Sequence, residues 1–208
     1  MLKIFTSYTP GAGKSYLMLQ RAIEERKSGK KVFIGYFNRK HRDMSKLPWK
    51  EDLKKCSVSI KKKEDIDFIV KENPDIVVMD EMGMQVTKNT FVYHIIEVLL
   101  ENQIDVYTSA NLKRFQSINP LFRKISGIGI RTTIPDCFLD IAEEIIFVDR
   151  RPELMKEDFE SGKLFGDKYM KSKIMRKNFC LENLISYREL SIEYLKRYNN
   201  IEIIQRHE

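Results

Sequence analysis

The sequence predicts an α/β domain built on a mostly parallel sheet. Three observations carry this reading. Strand-like and helix-like segments alternate along the first 150 residues. A glycine-rich turn, Gly11-Ala12-Gly13-Lys14-Ser15, joins a strand to a helix. A second apolar run, Ile76 to Met79, ends in the acidic pair Asp80-Glu81.

Leu2 to Ser7 reads as the first strand. Tyr16 to Lys27 reads as a helix with Met18, Leu19, Ala22 and Ile23 on one face, closed by Ser28-Gly29. Lys31 to Phe37 is nearly all apolar, as expected of a strand covered on both faces. Asn38 to Leu53 is polar and irregular and reads as a surface flap. A short strand at Ser57 to Ile60 and a helix at Glu64 to Lys71 follow. Asp75 to Asp80 reads as a buried strand, Asn89 to Asn102 as a helix and Ile104 to Ser109 as a strand. A helix is expected over Leu112 to Ile125, interrupted at Pro120. Ile130 to Ile134 and Glu144 to Asp149 read as two further strands. Pro152 to Ser161, Lys168 to Lys177 and Leu181 to Tyr198 read as helices, so residues 151–208 form a helical extension on a 1–150 core, within one nucleotide-binding domain.

The composition narrows the classes of function. Hydrophobic residues make up 42% and charged residues 32%, a globular balance. No apolar run approaches the ~20 residues that span a bilayer, and the N-terminus lacks the zones of a signal peptide. A cytoplasmic protein is expected. The opening Met1 and the polar ending Arg206-His207-Glu208 favour a stand-alone chain over a fragment. Cys56, Cys137, Cys180, His41, His94 and His207 are scattered, which suggests neither disulfides nor a zinc site. The net charge is +7, with basic runs at Arg26 to Lys31, Lys61 to Lys63 and Lys171 to Lys177. They lie in no nucleic-acid motif and read as solvated faces.

The glycine turn points to phosphate chemistry. Glycines let backbone N–H groups approach phosphate oxygens, and the helix N-terminus adds its positive dipole end. Lys14 would reach the β- and γ-phosphates, and the Ser15 hydroxyl would ligate magnesium. Asp80 would serve the same metal. Glu81 is the candidate catalytic residue, placed to polarise an attacking water. Thr108-Ser109-Ala110-Asn111 ends a strand at the edge where ligands bind in open α/β sheets. Asn111 either senses a γ-phosphate or caps the next helix. One departure stands out: the full phosphate-loop pattern needs a glycine where Tyr8 stands.

These motifs and their surroundings resemble one family, the N-terminal cytoplasmic sensor domain of KdpD osmosensitive, potassium-responsive histidine kinases. The resemblance runs from Leu2 to about Leu190. It rests on Lys3-Ile4-Phe5, the Gly11 to Tyr16 loop, Asp80-Glu81, Ile104-Asp105-Val106-Tyr107-Thr108, Asn111, Ser117 and Asn119. It continues through Ile125-Ser126-Gly127-Ile128, Ile134-Pro135-Asp136, Asp140 to Glu143, Val148-Asp149, and Leu184 to Leu190. It implies a three-layer, RecA-like P-loop fold that binds ATP in a regulatory role, within potassium and osmotic two-component signalling. It implies that Gly13, Lys14 and Ser15 contact the nucleotide and that Asp80 serves the metal. Taken with the motifs, the candidate site comprises Gly11, Ala12, Gly13, Lys14, Ser15, Tyr16 and Asn111 on the nucleotide, with Ser15 and Asp80 on magnesium. The family usually has glycine where Ser7 stands, Leu-Ala-His where Met82-Gly83-Met84 stand, and Glu-Thr-His where Asn38-Arg39-Lys40 stand.

Three readings remain. The first is a nucleotide-binding regulatory module read by a signalling protein. The second is an enzyme turning over its nucleotide, either a slow ATPase or an adenosyltransferase related to those of cobalamin. The third is a non-catalytic scaffold in which Tyr8 fills the phosphate position.

Overall fold

Strand β1 (Leu2–Ser7) carries four consecutive buried residues at its end and lies inside the sheet. Such a strand must bury both faces, so its apolar run is continuous rather than alternating. The computed structural model describes residues 1–37, 50–58, 60, 63–165 and 172–206. In chain order the other elements are α1 (Lys14–Lys27), β2 (Val32–Tyr36), α2 (Lys50–Cys56), α3 (Lys63–Glu72) and β3 (Ile76–Met79). Next come β4 (Gln85–Thr87), β5 (Thr90–Phe91), α4 (Val92–Glu101), β6 (Asp105–Asn111), a 3-10 turn at Leu112–Arg114, α5 (Asn119–Ser126) and α6 (Cys137–Ile141). The chain continues through β7 (Glu144–Arg150), α7 (Pro152–Glu160), α8 (Lys173–Asn178), α9 (Leu181–Leu195) and β8 (Ile201–Arg206).

Six strands form one sheet in the order β2-β3-β6-β1-β7-β8, and every neighbouring pair is parallel. Helix α1 packs across β1, β6, β2 and β3, while α4 packs on β6 and β3. Right-handed crossovers place these two helices on opposite faces, since β1 to β2 and β3 to β6 step along the sheet in opposite directions. The result is a three-layer, RecA-like α/β fold. Because all strands are parallel, Ser7, Met79, Asn111, Arg150 and Arg206 end at one edge. Strand order reverses around β1, and a crevice at the carboxyl edge is expected there.

Several elements differ from the sequence expectation. Ile130 to Ile134 is not a strand; only an isolated bridge joins Ile134 to Phe115. Pro120 does not break a long helix. It stands in the first turn of α5, where its missing N–H costs nothing. The helix expected from Asn89 begins at Val92, because a hairpin of β4 and β5 precedes it. Of the strand expected at Ser57 to Ile60, residue 59 lies outside the described residues; Ser57 bridges Ile34, and the Val58 and Ile60 N–H groups donate to the Ile34 and Gly35 carbonyls. The expected flap lies mostly outside the described residues, and its described end is helix α2. The C-terminal extension is helical through α7, α8 and α9, then adds β8 to the edge of the main sheet. Among the described residues no helix is long and apolar enough to cross a membrane.

Candidate functional site

The loop between β1 and α1 lies where the sheet reverses. Gly11 and Gly13 both have left-handed backbones, with φ of 92° and 99°. Residues with a Cβ rarely adopt that conformation. A side chain there would also have to displace its neighbours. A Cβ on Gly11 would come within 2.6 Å of Leu164 Cδ2, and a Cβ on Gly13 would fall inside the Arg206 guanidinium. Gly13 is the N-cap of α1, no side chain caps that end, and its first turn holds no acid. A helix start of this kind favours anions.

Lys14 is buried, and its ammonium points along the sheet edge towards β6. It donates to Asn111 Oδ1 at 2.9 Å, Ser7 Oγ at 3.0 Å and the Thr9 carbonyl at 3.3 Å. The parallel register of β1 and β6 sets Ser7 beside Asn111, which brings these groups together. Asn111 makes no capping hydrogen bond to the turn that follows it. Ser7 also donates to the Thr9 carbonyl at 2.6 Å, closing the start of the loop. A glycine in its place would offer Lys14 no hydroxyl.

Asp80 is fully buried just beyond β3. Its Oδ1 accepts from Ser15 Oγ and from Ser109 Oγ, each at 2.6 Å. A serine hydroxyl and a buried carboxylate at one point are hard oxygen donors, a set that fits magnesium. Ser109 in turn accepts from the Glu81 backbone N–H at 3.1 Å. Glu81 has a φ of 52°, a left-handed conformation unusual for a residue with a side chain. Burial pushes the Arg114 pKa down, and the nearby Glu81 carboxylate opposes that shift.

Tyr8 is fully buried, and its hydroxyl donates to the Arg150 carbonyl at 2.5 Å. It is anchored on the β7 side of the loop, whereas Lys14 points to the β6 side. The scaffold reading, in which Tyr8 fills the phosphate position, finds no support in this geometry. Burial, with Asp149 adding to it, pushes the tyrosine pKa up.

The structure therefore gathers Lys14, Ser15, Asp80 and Asn111 at one edge, with Gly11, Ala12, Gly13 and Tyr16 in or beside the loop. Sequence reasoning missed three contributors. Ser109 links Asp80 to Glu81, while Leu164 and Arg206 cover the two glycines from the extension. Ser109 lay within the polar strand end already singled out. Nothing local marked Leu164 or Arg206.

A parallel sheet that reverses around a strand–glycine loop–helix unit places the chain in the three-layer α/β class. Residues 1–198 match the model of the KdpD family, described as the osmosensitive K+ channel His kinase sensor domain, and the chain belongs to that family. It is 30% identical to a sensor protein KdpD of Clostridium acetobutylicum, over 97% of this chain and 23% of that protein. A Synechocystis relative is 29% identical, over 99% of this chain and 57% of its own length. The Escherichia coli sensor protein KdpD is 28% identical, over 92% of this chain and 22% of its own length. The chain thus spans between 22% and 57% of the length of these curated relatives. The AMPPCP-bound DnaA of Aquifex aeolicus aligns over 95% of this chain and 55% of its own at 16% identity, with a TM-score of 0.35.

Proposed function

We propose that this chain is a single ATP- and magnesium-binding regulatory module, serving the potassium and osmotic signalling for which its family is named. The observation that carries the reading is the placement of Lys14. Its ammonium is gathered by Asn111, Ser7 and the Thr9 carbonyl beside the uncapped start of α1. An ammonium and a helix N-terminus at one point form a site for a polyphosphate. Ser15 and Asp80 would hold magnesium, which supplies charge neutralisation between the phosphates. The nucleotide state would then bias a surface read by a signalling protein or domain, because a ligand shifts any equilibrium whose states it binds unequally.

The test is calorimetric titration with Mg-ATP, with phosphate release followed in the same samples. Tight binding to the wild type and its loss in Lys14→Ala are expected. Unchanged binding by that variant would overturn the proposal.

A second reading, turnover of the nucleotide, has one observation in its favour. Glu81 is held in a left-handed conformation next to Asp80, and backbone strain of this kind clusters at reactive sites. Steady phosphate release that disappears in Glu81→Gln would move this reading to first place.

A further inference from the structure

Arg206 closes the last strand of the sheet. The β8–β7 ladder runs from Ile201 beside Ile145 to Arg206 beside Arg150, so its parallel register carries Arg206 to the edge that holds the phosphate loop. There the guanidinium rests on Gly13, in the space a Cβ would need, and it stacks 5.0 Å from the centre of the Tyr16 ring. Among the described residues no carboxylate pairs with it.

This placement has the wrong sign for an empty site. A cation is favourable at the C-terminus of a helix and unfavourable at its N-terminus. Arg206 nevertheless stands at the N-terminus of α1, on the loop that also holds the Lys14 ammonium. A cation resting on Gly13 at the positive end of the helix dipole becomes favourable when an anion arrives at that loop. The Tyr16 ring keeps the guanidinium there by a cation–π contact. The planar fork of a guanidinium matches two phosphate oxygens, which a lysine ammonium does not.

We propose that Arg206 is a second phosphate-binding cation of this loop, supplied by β8, so that a bound nucleotide fixes the last strand against the P-loop. The proposal rests on the nucleotide-binding reading above and adds a contact from beyond residues 1–198, the part the family model matches. It also gives the nucleotide a physical route to the C-terminal edge strand. A phosphate bound between Gly13 and Arg206 stabilises the docked end of β8 relative to a frayed one.

The experiment uses the full chain as wild type, Arg206→Ala, Arg206→Gln, Arg206→Lys and Lys14→Ala. Each is titrated with Mg-ATP and, separately, with inorganic tripolyphosphate. Melting of the unliganded proteins and hydrogen exchange of the Ile201–Arg206 amides are followed alongside. Loss of one charge-assisted contact corresponds to about 10- to 100-fold weaker binding. Arg206→Ala and Arg206→Gln are expected to show that loss with both ligands, Arg206→Lys to fall between them and the wild type, and melting of the unliganded variants not to fall below the wild type. Mg-ATP is expected to slow exchange in β8 of the wild type but not of Arg206→Gln. Wild-type affinity in both Arg206→Ala and Arg206→Gln would overturn this proposal and leave the nucleotide-binding reading standing. Weakening for ATP alone would mean a contact to base or ribose, and would overturn the phosphate assignment. Failure of the wild type to bind either ligand would remove both readings.

Discussion

Arg188 grips Asp149 through two parallel hydrogen bonds, 2.7 Å from Nε and 2.6 Å from Nη2. Asp149 is fully buried at the end of β7, and Gln205 of β8 donates to the same carboxylate at 2.7 Å. One carboxylate therefore ties α9 and β8 to the core sheet. Removing the guanidinium would leave a buried charge with one neutral partner. Arg188→Ala should cost about 3–5 kcal/mol, read as a lower urea midpoint. The double variant Asp149→Asn with Arg188→Met should recover much of that loss, because it leaves no buried charge. A double variant as unstable as the single one would contradict this account.

Asp80 and Ser15 should control metal dependence more than folding. Asp80 accepts from two hydroxyls, and an asparagine can keep one such acceptor. Asp80→Asn should therefore fold, yet bind ATP equally with magnesium or with a chelator. The wild type should bind at least about 10-fold more tightly with magnesium, the loss of one charge-assisted contact being of that order. A retained magnesium effect in Asp80→Asn would exclude it as the metal carboxylate.

Glu81 holds a backbone conformation that costs an L-residue about 1–2 kcal/mol and costs glycine nothing. Glu81→Gly should be more stable than Glu81→Ala by about 1 kcal/mol, because both remove the carboxylate near Arg114 and only glycine takes this conformation freely. If phosphate is released at all, Glu81→Gly should release none. Equal stability of the two variants would show that the left-handed backbone at Glu81 carries no such cost.

Lys113 follows β6 among Asn119, Phe122, Ser126, Asn178 and Tyr187. It is half-buried by surface area, yet burial of its ammonium, with Arg114 beside it, pushes its pKa down to about 8. The unfolded value is about 10.4. Between these values the unfolded chain binds a proton that the folded chain lacks, so this group adds stability as pH rises. Lys113→Met should stabilise the protein at pH 7, and the gain should shrink steadily towards pH 10. Urea midpoints of both proteins across that range check it, since other groups titrate alike in both. A pH-independent gain would mean that packing alone is responsible.

Much of the fold was legible because its signals are local. Fully covered parallel strands read as unbroken apolar runs, and Gly13-Lys14-Ser15 must follow a strand and open a helix to make sense. Strand β8 escaped because Ile201-Glu-Ile-Ile-Gln-Arg206 lies at the edge, where one side of the ladder meets solvent and polar residues are tolerated. Ile130 to Ile134 misled for the opposite reason. Its apolar residues are used for packing, as Ile134 is fully buried, without a neighbouring strand to pair with. Tyr8 looked like an obstruction in the loop, but a deep contact with the end of β7 takes it away from Lys14.

The sequence by itself determined the loop, the acidic pair, the alternation of strands and helices, and the family. Tertiary structure alone decided that Asn111 meets Lys14, that Ser109 joins Ser15 on Asp80, and that Arg206 lies on Gly13. The physical reason is range. Turns and helix starts depend on neighbouring residues, whereas these contacts depend on strand order and register. Those are set by burying whole faces of a sheet, and no short stretch of sequence contains that information.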